Sequence, residues 1–232
     1  METQFSRTEI LLGKEATEKL RRSRVAVFGV GGVGGYVVEA LARAGIGTLD
    51  LIDADDVNFS NINRQIIALH STLGKAKVEV AAQRVKDINP DITININKCF
   101  YLSENKEQFC FSDYDYIADA VDTVSAKISL VEEAYKAKTP IISAMGAGNK
   151  LEATAFKVAD ISKTMVCPLA KVMRRELRNR GINHLKVVYS EEKPHKSLLN
   201  EEQKVVGSVS FIPPVVGLIM AGEIIKDLLE IN

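Results

Sequence analysis

The sequence predicts an α/β fold: a Rossmann-like, mostly parallel sheet flanked by helices, with a smaller C-terminal appendage. Three observations carry this reading. Short apolar runs alternate with helical patterns through the first two thirds of the chain, as in βαβ units. Gly29, Gly31 and Gly34 spell G-x-G-x-x-G between a strand pattern and a helix pattern. Asp53 ends the next strand pattern at about the twenty-residue spacing that nucleotide sites of this architecture use.

The elements follow in order. Val25 to Phe28 reads as a buried strand and Val33 to Ala44 as the helix after the glycines. Thr48 to Asp53 is the second strand, and Lys75 to Ile88 is a helix stopped by Asn89-Pro90. Thr93 to Asn97 alternates as a third strand, Asp115 to Ala120 is a fourth, and Thr123 to Ala137 is a helix leading to a fifth, Pro140 to Ser143. The pattern is read as strand and helix in strict alternation. Beyond Gly148 the character changes: Ala153 to Val158 is a candidate strand, Leu169 to Arg180 a helix, Leu185 to Tyr189 a strand, and Ser190 to Ser208 a polar loop. Pro214 to Leu229 returns to helical periodicity. Residues 1–148 therefore read as a nucleotide-binding core and 149–232 as a second region whose last helix packs back on it.

Composition narrows the class. With 232 residues, 46% hydrophobic and 26% charged, the chain can bury a full core. Thirty basic residues balance thirty acidic ones, so a nucleic-acid partner has to be met by a local patch. The three cysteines, Cys99, Cys110 and Cys167, fit neither a zinc site nor a disulfide framework, which suits a reducing cytoplasm. The first residues lack the layout of a signal peptide. The apolar stretch from Phe211 to Met220 holds a Pro pair and runs into Glu223, Lys226 and Asp227, too short and too charged to span a bilayer.

The glycines allow a tight turn and a close approach of backbone to phosphate or ribose, and Asp53 can accept from ribose hydroxyls. A dinucleotide enzyme would continue with a catalytic His or Tyr-Lys system, and His70, His184 and His195 form none. Instead DADDVNFSNINRQ and LGKAK place Asp55, Asn61, Arg64, Gln65 and Lys77 soon after the second strand. A guanidinium fork and an ammonium at Arg64 and Lys77 suit a triphosphate during displacement, although a solvated loop and helix face would show the same spacing. Asp119 and Asp122 fall at or just past the carboxyl end of the fourth strand. Asp122 is the better Mg2+ ligand; Asp119 can equally be a strand-end residue.

These motifs, GVGGVGG after a strand, DADDVNFSNINRQ, LGKAK and AVD before a helix, resemble the ThiF and ubiquitin-activating-like adenylating superfamily. FSRTEILLGKEATEKL, the stretch from MGAGNK to MRRELR, and GSVSFIPPVVGLIMAGEIIKDLL are most similar to its short bacterial branch, the tRNA threonylcarbamoyladenosine dehydratases. The resemblance implies that Gly31 and Gly32 approach ATP, Asp53 holds its ribose, Asn61, Arg64, Gln65 and Lys77 surround its phosphates, and Asp122 holds Mg2+. It implies a homodimer in which Arg7 reaches into the partner's site. The implied reaction is adenylation of a carboxylate followed by ring closure with net loss of water, the carboxylate being carried on N6-threonylcarbamoyladenosine in tRNA. A monovalent cation and a cysteine desulfurase are further candidates from the same resemblance. Lys171, Arg174, Arg175 and Arg178 recur at i, i+3, i+4, i+7 and form a candidate tRNA stripe, with Leu169, Val172 and Leu177 toward another face. Cys167 stands where some relatives carry a nucleophile, but no basic partner is visible beside it. Two alternatives stay open: adenylation of the C-terminus of a ubiquitin-like sulfur carrier, and a nucleotide-binding sulfur-relay scaffold without turnover.

Overall fold

The computed structural model describes residues 3–196 and 206–231, so most of the second half of the polar loop lies outside the described residues. The chain opens on two helices that the strand-and-helix pattern did not mark, α1 (Ser6–Leu12) and α2 (Lys14–Arg22). Then come β1 (Arg24–Phe28), α3 (Gly34–Ala44), β2 (Thr48–Ile52), α4 (Lys77–Ile88) and β3 (Thr93–Asn97). They are followed by β4 (Tyr116–Asp119), α5 (Val124–Ala137), β5 (Ile141–Ala144), β6 (Phe156–Asp160), α6 (Pro168–Arg178), β7 (Lys186–Ser190) and α7 (Ile212–Leu229).

The strands form one seven-stranded sheet in the order β3-β2-β1-β4-β5-β7-β6. All neighbours are parallel except β6, which runs antiparallel to β7 along the edge. The region read as an appendage extends this same sheet by two strands. The strict alternation fails once: between β3 and β4 the chain makes only the 3-10 turns Ser103–Gln108 and Phe111–Asp113. Their aromatic residues do the covering that a helix would have done. The strand expected from Ala153 begins later, because Ala153–Ala155 is a 3-10 turn.

Burial on both faces explains why β1 is apolar throughout. Val25 and Val27 point toward α3, α4 and α7, packing with Val37, Leu41, Val216 and Met220. Ala26 and Phe28 point the other way, where Phe28, Tyr101, Phe109 and Phe111 pack mostly edge to face. A third cluster, with Met173 and Leu177 of α6 against Val187, covers the β5–β7 end. α7 begins with Pro213 and Pro214, tolerated in a first turn whose N–H groups lack partners in the helix. No helix among the described residues is long and apolar enough to cross a membrane.

Candidate nucleotide site at the switch point of the sheet

The chain steps outward from β1 to β2 and β3, then crosses back to β4 on the other side of β1. At such a switch point the strand ends diverge and leave a crevice. Here it is a cavity of about 520 Å3. Every nucleotide-site residue singled out in the sequence lines it except Gly34 and the distant Arg7.

The glycines divide by task. Gly29 has φ +86, and a Cβ on it would lie 2.7 Å from the Ala120 carbonyl oxygen. A Cβ on Gly34 would lie 1.7 Å from the carbonyl oxygen of Gly29. These two close the turn against β4, whereas Gly31 and Gly32 face the cavity. Asp53 fastens the turn to the end of β2. Its Oδ2 accepts from Val30 N–H at 2.7 Å and its Oδ1 from Asp55 N–H at 2.9 Å. A carboxylate has about four acceptor sites, so room remains for a hydroxyl.

Lys77 is buried at the first position of α4, where its Nζ donates to Asp55 Oδ2 at 2.6 Å and lies 4.0 Å from Asp53 Oδ1. Asn61 Oδ1 accepts from Asn58 N–H at 2.9 Å, which shapes the loop that carries Arg64 and Gln65. Among the described residues Arg64 donates only to neutral acceptors, the Ser60 carbonyl and Asn63 Oδ1, both at 2.9 Å. Gln65 is buried, and its Oε1 has no hydrogen-bond partner among the described residues. A buried orphan amide beside Gly31 marks a wall that a ligand completes. Asp122 is exposed on the cavity wall, its one hydrogen bond among the described residues a long 3.4 Å from Thr123 Oγ1. Among the described residues no group of three or more metal-ligating side chains converges. A single free carboxylate on the cavity wall nevertheless suits Mg2+, which takes one or two carboxylates plus phosphate oxygens.

Spacing had not singled out Lys127 and Ser143, which lie beneath this wall. Asp119 is buried against Lys127 and Ser143, so it is part of the sheet's interior. Cys99, on the cavity wall, has its thiol held above the ordinary value by burial. Cys167 is buried at the start of α6, its Sγ 3.9 Å from where a Cβ on Gly146 would stand. The stripe on α6 is uneven: Arg174 Nη1 turns inward to the Thr164 carbonyl at 2.8 Å and its Oγ1 at 2.6 Å, and Arg175 pairs with Glu176. Lys171 and Arg178 stay exposed. The buried face of the helix is Ala170, Met173 and Leu177, and Val172 points outward.

Arg7 is exposed on α1. Phe5, just before that helix, packs on Gly45 at the C-terminal end of α3. Since α3 has its first residue in the glycine turn and rises about 1.5 Å per residue, the Gly45 end on which Phe5 packs stands roughly 16 Å from that turn.

Comparison with known proteins gives the family. A curated tRNA threonylcarbamoyladenosine dehydratase of Bacillus subtilis is 46% identical, over 98% of this chain and 95% of its own length. One of Haemophilus influenzae is 44% identical, over 76% of this chain and 68% of its own. The crystal structure of Escherichia coli tRNA N6-threonylcarbamoyladenosine dehydratase in complex with ATP matches with a TM-score of 0.90 at 32% identity, covering 98% of this chain and 94% of that one. The model of the ThiF family matches residues 5–232. With that pattern running through both halves of the sheet, the chain belongs to the ThiF family.

Proposed function

We propose that the chain catalyses the ATP-dependent dehydration of N6-threonylcarbamoyladenosine in tRNA, through an acyl adenylate. The observation that carries this reading is the convergence of a backbone-walled glycine turn, two phosphate-seeking cations and a free carboxylate on one cavity. The near full-length likeness to the B. subtilis dehydratase supplies the substrate.

The carboxylate of the threonyl moiety attacks the α-phosphorus of ATP and pyrophosphate leaves. An atom of the same modification then closes a ring on the activated carbonyl, and AMP leaves with the oxygen. Gly31 and Gly32 let the phosphates approach the backbone, and Arg64 and Lys77 stabilise charge as it moves to the leaving pyrophosphate. Asp122 would hold Mg2+, which supplies a counter-charge on the phosphates. Positioning and electrostatics do most of this work.

The charge balance supports two additions. Around the cavity Arg64 and Lys77 face three carboxylates, Asp53, Asp55 and Asp122. That is short of positive charge for a triphosphate, which argues for Mg2+ and for a further cation from outside the chain. Arg7 of a second copy fits the need: it is exposed, far from its own cavity, and followed by Ile10 and Leu11, which are 85% and 83% exposed. In this reading the cytoplasmic enzyme is a homodimer, residues 1–148 bind ATP and lend the arm, and 149–232 meet the tRNA, Lys171 and Arg178 offering phosphate contacts.

The test is pyrophosphate release on addition of threonylcarbamoyl-modified tRNA, of the same tRNA without the modification, and of a ubiquitin-like sulfur carrier. Release with the modified tRNA alone is expected. Release with the carrier alone overturns the proposal.

A further inference from the structure

Lys127 and Asp119 are the most deeply buried ion pair among the described residues, with side chains 1% and 0% exposed. Lys127 Nζ lies 3.0 Å from both Asp119 oxygens and 3.3 Å from Ser143 Oγ, whose hydroxyl donates to Asp119 Oδ2. A pair of this kind adds little net stability, because desolvation of both charges offsets their attraction. Its place in the fold suggests another use. Asp119 is the last residue of β4, Lys127 lies in the first turns of α5, and Ser143 belongs to β5. The three elements meet under the loop of residues 120–123.

That loop is fastened at its base and free at its tip. Asp119 Oδ1 also accepts from Val121 N–H at 3.3 Å, and Ala120 N–H donates to the Phe28 carbonyl at 2.8 Å. The Ala120 carbonyl presses on the glycine turn at Gly29. Asp122, by contrast, has nothing firm of its own to orient it. It lines the cavity above a backbone that is held from below.

We propose that Lys127, acting through Asp119 and Ser143, is a positioning residue that holds the β4–α5 loop so that Asp122 meets the metal-bearing phosphates of the nucleotide. The inference rests on the reading of Asp122 as the Mg2+ ligand. Groups that orient a metal ligand from behind typically change metal affinity by about 10- to 100-fold when removed.

The experiment measures equilibrium binding of ATP to the full chain with Mg2+ and in EDTA. The double variant Asp119→Asn/Lys127→Met removes both charges together, so no unpaired charge stays buried. It is expected to lose about tenfold of the Mg2+-dependent gain in affinity, with its affinity in EDTA near that of the parent. Ser143→Ala keeps both charges and is expected to lose about threefold in the same direction, so the test stands even if the double variant does not fold. Asp122→Ala should abolish the gain, and adding the double variant to it should change nothing more. If Asp122→Ala keeps the gain, the assignment of Asp122 fails. If Asp122→Ala loses the gain while the double variant and Ser143→Ala keep it, or weaken binding equally with and without Mg2+, the positioning role is overturned.

Discussion

Among the described residues Arg64 brings its charge to the cavity with only the Ser60 carbonyl and Asn63 Oδ1 as partners, and that decides what its loss should do. Arg64→Ala is expected to lower kcat/KM for adenylation about 100- to 1000-fold, as for other preorganised donors to a charged transition state. The melting temperature should hardly move, since no buried group is orphaned; a large drop would mean that the side chain is structural. The glycines separate in the opposite sense. Gly34→Ala meets the Gly29 carbonyl and should cost roughly 3 kcal/mol or more of stability. Gly31→Ala, with only Gln65 Nε2 near at 3.6 Å, should fold normally and bind ATP weakly. Thermal melts beside ATP titrations check both. Gly31 and Gly34 were legible from the spelled-out glycine turn, and Arg64 from the polar stretch that follows β2. Lys127 was not, since a lysine in a helix usually faces water, and only the aspartate folded over it reveals that it points inward. Arg174 was misplaced for the same reason: its helix phase matches the exposed stripe, but the Thr164 carbonyl draws it in.

Between elements, Glu39 brackets two helices. It belongs to α3 and accepts from Arg84 of α4 at 2.7 Å and from Arg43 at 2.8 Å. Burial pushes its carboxyl up, but the two guanidinium groups outweigh burial and hold it below its ordinary value of 4.5. A carboxyl lowered by folding contributes stability above its unfolded value and loses that contribution as pH falls through the lower, folded one. Glu39→Gln should therefore cost about 1–2 kcal/mol at neutral pH, the value of charged hydrogen bonds after screening of the half-exposed arginines. The deficit should shrink as pH drops below 4.5 in urea titrations. A deficit constant with pH would show that Glu39 acts by packing. At this scale β1 to β5 and their helices were readable from apolar periodicity. The β3–β4 connection was not, because its covering groups, Tyr101, Phe109 and Phe111, follow no helical period. Nor does alternation within β6 and β7 say which sheet they join, since that depends on pairings with β5 far away in sequence.

For the whole molecule, the proposed exchange of Arg7 predicts complementation. Arg7→Ala and Lys77→Ala homodimers should each be nearly inactive, yet co-expressed in equal amounts they should recover about a quarter of the parent activity, because half the dimers are mixed and each mixed dimer has one intact site. No recovery would place Arg7 outside the partner's site. The topology also constrains how the molecule is made. The central pairing of the sheet joins Val25 to Tyr116, so β1 stays an edge on that side until just over half the chain has been synthesised. The apolar side of α3 waits longer still, because its cover, α7, starts only at Ile212. Pairings between distant segments are slow to form and leave sticky surfaces open meanwhile. On the ribosome, then, the glycine turn and its strand emerge early but gain their last wall, at Pro213 of α7, among the final residues, after all seven strands have been made.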